Sequence, residues 1–176
     1  YNWDEDVSDE VWDEIHVGVR ENDEAWNSLQ AETRFPQIYV FPPEYYAQVS
    51  EWYLLEAIQS YLKIPSIKRN IGNLAILLFP EDTNTRGRMF REKIYLYSLD
   101  RIPQNEVFSV FVHEFWHYYD IHWLLPTRFW DISQRFYEIS WEDTDIIRAG
   151  QWVSDFVSGY AMTNMYEDFA ESYSYY

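Results

Sequence analysis

The sequence contains no cysteine, which excludes disulfides and every thiolate metal site, so any bound metal must be held by histidine, aspartate or glutamate. Positive charge is scarce as well: 13 Lys and Arg stand against 30 Asp and Glu, a formal net charge of −17. Neutralising phosphates takes a basic face, so nucleic acid is not an expected partner. No stretch reaches the roughly 18 continuous apolar residues of a membrane span. The longest hydrophobic run, residues 74–79, is strand-sized. Repeats, low-complexity tracts and long linkers are also missing, so a single domain over residues 1–176 is expected. A domain of that size buries about 70% of its unfolded surface and needs no staples. The chain begins with Tyr1 and shows no signal-peptide pattern, which points to a processed product.

The acids that are present gather at the two ends. Residues 1–35 carry eleven against Arg20 and Arg34, and residues 138–176 carry eight against Arg148. The first of these stretches reads as an acidic, peripheral segment that solvates the protein. Aromatic residues are abundant, with 16 Tyr, 9 Trp and 11 Phe, and most are expected in the core.

Along the chain, residues 10–15 fit a Ser8-capped helix while 15–20 alternate as a strand would, with periodicity unable to separate the two, and His16 reads as an ordinary histidine. Residues 23–32 read as a short helix, 37–41 as a strand stopped by Pro42-Pro43, and 44–63 as a long amphipathic helix. Two further strands are expected at 74–79 and 94–99, joined through a loop at 81–91. Pro126 opens a helix to Ile139, residues 141–145 form an acidic turn, and 146–159 form a helix stopped by Gly159. The expected fold class is therefore α+β, a small mixed twisted sheet packed with helices.

The chemistry concentrates in the apolar stretch 107–119, which contains His113-Glu114-Phe115-Trp116-His117. On a helix, residues i and i+4 lie one above the other, so both imidazoles aim at one point. Glu114 sits beside them, able to reach a water without binding the metal. This is the H-E-x-x-H arrangement of zinc proteases. Two histidines and a glutamate would be costly to bury in such an apolar segment without partners. Three candidates compete for the third ligand: Asp120, His122 and the carboxylate-rich segment 160–171. The spacing of the first two does not suit a long three-histidine motif, and Asp120 more often orients a histidine than binds.

His113-Glu114-Phe115-x-His117, followed about fifty residues later by Tyr160, Thr163-Asn164 and Glu167-x-x-Ala170-Glu171, resembles the gluzincin catalytic domain of anthrax lethal factor and its relatives, the bacterial Pro-Pro endopeptidases among them. The resemblance implies a zincin-like fold with an active-site helix and a C-terminal glutamate helix. It also implies Zn²⁺ held by His113, His117 and Glu167, with Glu114 as general base and Tyr160 stabilising the oxyanion. The residues themselves are consistent with this: Thr163-Asn164 offers a helix start, and Glu167 and Glu171 then share a face. Glu171, with Asp120, is expected to orient the histidines. Two features depart from the family pattern. Trp116 stands where lethal-factor-type sequences often have glycine, and only five residues follow Glu171 to anchor its helix.

The activity expected from this resemblance is zinc-dependent hydrolysis of peptide bonds by a secreted, monomeric endopeptidase. Its substrate would lie along a sheet edge at 94–99, with the basic cluster Arg86, Arg88, Arg91 and Lys93 favouring an acidic residue. The alternative is a catalytically silent zinc-binding or adhesion module that uses its aromatic surface. Three ligands plus a positioned base weigh against it, because structural zinc sites close all four positions with protein.

Overall fold

The computed structural model describes residues 38–40, 53–68, 71–72, 74–80, 84–126 and 130–175, all within a unit spanning residues 37–176. The readings for residues 1–36, including His16, and for the first half of the helix at 44–63 lie outside the described residues. The fold is α+β.

Its sheet has four strands: β1 (Ile38–Val40), β2 (Ala75–Leu78), β3 (Gly87–Phe90) and β4 (Lys93–Leu96), in spatial order β1-β2-β4-β3. β1 and β4 run parallel to β2, while β3 pairs antiparallel to β4 with Arg88 opposite Tyr95 and Phe90 opposite Lys93. β1 and β2 are buried along their whole length, the pattern of strands covered on both faces. β3 is only half-buried and forms the edge.

The existence of β3 corrects the loop expected at 81–91. It also moves the open edge away from 94–99, because β4 lies inside the sheet between β2 and β3. A four-residue strand containing a glycine and an arginine has too little apolar alternation to be read from sequence. The basic cluster is placed differently as well. Arg86 pairs with Glu106, Arg91 lies over the Phe90 ring, and Arg88 sits across from Tyr95, on the opposite face from Gly87.

Helix α1 (Tyr53–Leu62) is followed by the short α2 (Pro65–Lys68). The long helix α3 (Gln104–Tyr119) starts immediately after Pro103, which suits a helix start because its missing N–H costs nothing there. Val107, Phe111, Phe115 and Tyr118 recur at helical spacing as its buried stripe. Tyr61 of α1 meets Phe108, Phe111 and Phe115 edge to face, with ring centroids 5.3–6.1 Å apart. Gln104 Oε1 accepts the Leu54 N–H of α1 at 3.1 Å. α3 runs on into a π-helical turn (Asp120–Leu124), and α4 (Trp130–Ser140) follows.

The helix expected at 146–159 is not formed. That region holds the hairpin β5 (Trp141–Asp143) and β6 (Ile146–Ile147), then two single 3₁₀ turns, Val153–Asp155 and Tyr160–Met162. The segment exposes Trp152 and Val153 and buries only Phe156, so it has no continuous stripe to hold a helix against a core. α5 (Met165–Tyr175) closes the described chain. Asn164 caps it: Asn164 Oδ1 accepts the N–H groups of Tyr166 and Glu167, each at 3.0 Å. The hairpin anchors the same end through Met165 N–H to Thr144 O at 2.9 Å and Trp141 Nε1–H to Asp168 Oδ2 at 2.9 Å.

Among the described residues no helix is long and apolar enough to cross a membrane.

Candidate metal centre

α3 and α5 pack against each other and bring residues about fifty positions apart to one point. The Nε2 atoms of His113 and His117 are 3.1 Å apart, and Glu167 Oε2 lies 3.0 Å from the first and 3.1 Å from the second. This triangle can be tested against zinc. Bonds of about 2.0–2.1 Å in tetrahedral geometry separate ligand atoms by about 3.3–3.4 Å, so the three donors need to part by only a few tenths of an ångström. Two imidazole nitrogens and one carboxylate oxygen are also the chemical set of an open, three-ligand zinc site. The residues fit the ion.

The electrostatics of the metal-free site point the same way. Burial alone would push the Glu167 carboxyl up, but hydrogen bonds from His113 and His117 and their charge hold it down at about 2. Burial also disfavours a charged His113. The hydrogen bond to Glu167 and the charges of Glu114, Glu167 and Glu171 outweigh it and hold the His113 pKa above its usual value. His113 and Glu167 thus hold a proton between them where a divalent cation would replace it.

Glu114 is buried one position around the helix, and burial pushes its carboxyl up against the pull of His117, His113 and the Met89 N–H. The edge strand presses close at this point. A Cβ on Gly87 would stand 2.4 Å from Val110 Cγ1 and 2.9 Å from both Cγ and Oε1 of Glu114. Only glycine lets β3 approach α3 so tightly that the Glu114 carboxylate lies against strand backbone.

Tyr160 is presented by the second 3₁₀ turn. Its ring centroid is 5.8 Å from that of His113 and its hydroxyl bonds to Glu167. Partial burial and then the Glu167 and Glu114 charges push its pKa up to about 12, so at neutral pH it is a hydrogen-bond donor. Glu171 lies one turn beyond Glu167, with Oε1 2.9 Å from His113 Nδ1 but out of line for a straight hydrogen bond.

Asp120 occupies a different place. Its two carboxylate oxygens accept from Ser133 and Tyr137 of α4, tying the end of α3 to that helix, and its charge attracts His117. His122 is exposed and stacked on Tyr118, away from the cluster.

Gly87, Met89 and Ser158 are site neighbours that sequence reasoning passed over. Ser158-Gly159 is a turn dipeptide, and that signal was available against the helix expected there.

The departure at Trp116 has a structural counterpart in α5. Trp116 reaches from α3 to α5, with ring centroids 6.5 Å from Phe169 and 4.8 Å from Tyr173. Phe169 is fully buried among Phe136, Tyr137 and Tyr173, at 5.3, 6.0 and 4.4 Å. These rings anchor α5 against α3 and α4.

Comparisons with known proteins found no match among curated proteins and none among solved structures. Residues 81–176 match the family described as "Putative zinc-binding metallo-peptidase". That match takes in more than half of the chain and every residue of the His-His-Glu cluster, and the donor set independently suits zinc. The chain belongs to this metallopeptidase family.

Proposed function

We propose that the protein is a zinc-dependent endopeptidase of gluzincin type and zincin-like fold, related in its site to lethal factor and the Pro-Pro endopeptidases. In this reading His113, His117 and Glu167 would hold the ion. When bound, zinc supplies Lewis acidity and lowers the pKa of water to about 7. Glu114, backed by the edge strand, takes the proton from the attacking water and returns it to the leaving amine. Burial shifts its pKa upward from the usual carboxylate value, the direction that favours returning the proton. The Tyr160 hydroxyl donates to the oxyanion, a charge that exists only beyond the ground state, and so contributes to rate rather than to substrate binding. Glu171, whose Oε1 lies 2.9 Å from His113 Nδ1, would accept from it on a small realignment and hold its tautomer.

The observation that carries the reading is the convergence of the three donor atoms within 3.1 Å of one another, with a buried carboxylate beside them that is not one of the three. Substituting Glu114→Gln separates an enzyme from a silent zinc-binding module. Zinc per chain is expected to stay at one while peptide-library cleavage falls to background; cleavage at the wild-type rate would refute the assignment of the base. The same reading carries an extracellular, monomeric enzyme, checked by cell fractionation and by the mass of the protein in solution.

A further inference from the structure

Two hydrogen bonds meet at a side chain that the mechanism above does not use. Ser158 Oγ donates to Glu171 Oε2 at 2.7 Å and accepts the Ala161 backbone N–H at 3.0 Å. The first bond holds the carboxylate whose other oxygen faces His113 Nδ1 at 2.9 Å. The second ties Ser158 to the turn Tyr160–Met162, which carries the Tyr160 ring to within 5.8 Å of His113.

An imidazole that offers Nε2 to a metal keeps its proton on Nδ1, and that buried N–H needs an acceptor. His113 Nδ1 has no aligned partner, although Glu171 Oε1 is near enough to become one. The aim of Glu171 therefore matters, and among the described residues Ser158 is the side chain that donates to its carboxylate. Ser158 is half-buried on a turn, not part of the packed ring cluster, so its contribution is directional rather than one of bulk.

We propose that Ser158 is a positioning residue that couples the two halves of the site, orienting His113 through Glu171 and setting Tyr160 through the Ala161 amide. The proposal rests on the zinc-peptidase reading for its consequence in catalysis, but not for its effect on metal affinity.

Zinc dissociation constants, measured on the full chain by competition with a chelating dye, read the first link. Ser158→Ala is expected to weaken zinc binding roughly tenfold, the lower end of what losing a ligand's outer partner costs. Ser158→Thr, which keeps the hydroxyl, restores it. In a Glu171→Gln background Ser158→Ala adds less than about twofold, because the serine acts through that carboxylate. Unchanged zinc affinity in Ser158→Ala, or losses that multiply in the double variant, would overturn this link.

Hydrogen exchange at the Ala161 amide reads the second link without any activity: protected in the wild type, exposed in Ser158→Ala. Unaltered protection overturns it. At saturating zinc, Ser158→Ala should lower kcat with KM unchanged, and the same substitution in Tyr160→Phe should leave kcat where Tyr160→Phe put it. An equal kcat loss in both backgrounds counts against the coupling. A wild-type chain that binds zinc but cleaves no peptide would sink the peptidase reading, while the affinity and exchange measurements would still decide the role of Ser158.

Discussion

Two regions that meet at the same point are built in opposite ways. The α3–α5 pair holds His113, His117 and Glu167 on regular helices locked by buried rings, with Phe111, Phe115 and Phe169 fully inaccessible. The segment 141–162, which brings Tyr160, is a short hairpin and two 3₁₀ turns, with Trp152, Val153 and Tyr160 more than half exposed. Groups that must hold fixed distances thus sit on elements that cannot move independently. The group proposed to meet a transient charge sits on backbone held by a few hydrogen bonds. On the proposed roles, the comparison teaches that affinity for metal rests mainly on the helix pair and rate mainly on the looser segment, with Ser158 as the link between them.

The largest expected break falls on the rigid side. Glu167→Ala removes a proposed ligand, and zinc affinity should drop by more than about 100-fold, since outer partners alone are worth up to that much; titration with a competing chelator measures it. Phe169→Ala empties a buried ring site between α3, α4 and α5 and should cost about 3–5 kcal/mol in denaturant unfolding. Its counterpart on the other side, Tyr160→Phe, should change unfolding stability by less than about 0.5 kcal/mol yet lower kcat by roughly 10²-fold, as loss of an oxyanion donor does. Equal stability losses in the two variants would erase the distinction between the regions.

Gly87→Ala tests the edge strand, where the new methyl meets Val110 at 2.4 Å. A destabilisation of about 1–3 kcal/mol is expected, because a β-branched neighbour cannot swing aside. Relief by a second change, Val110→Ala, would locate the clash.

The smallest effects are those of pH. In the metal-free protein Glu167 has a folded pKa of about 2 against an ordinary 4.5. A depressed acid stabilises the fold above the unfolded value, so that contribution is present above pH 4.5 and lost as pH falls toward 2. The stability gap between the wild type and Glu167→Gln should close over that window. His113 is shifted the other way, upward from 6.5, so its contribution is complete below pH 6.5 and fades as pH rises through the higher folded value. Zinc must displace that proton, so on acidification its affinity should already begin to fall at a pH above 6.5, and should decline about tenfold per unit below the His113 pKa. An onset well under 6.5 would mean that Glu167 does not hold the proton on His113.

What the amino-acid order determined by itself was local. His113 and His117 share a face because a helix repeats every 3.6 residues, Asn164 caps α5 because its side chain reaches amides two and three positions on, and Glu167 and Glu171 align for the reason the histidines do. Trp116 could be read only as a departure from a pattern; that it clamps α5 through Phe169 and Tyr173 depends on a partner more than fifty residues away. The edge strand β3 was decided by tertiary structure alone, and the turn around Ser158, though its Ser-Gly pair signals a turn, took its conformation from its surroundings. Neither has enough periodic apolar character to declare itself, and each is held by what lies across from it: β4 and the Val110 and Glu114 side chains of α3 in one case, Glu171 in the other. Short segments cannot stabilise their own conformation against chain entropy, so their shape is chosen by the surfaces on which they land.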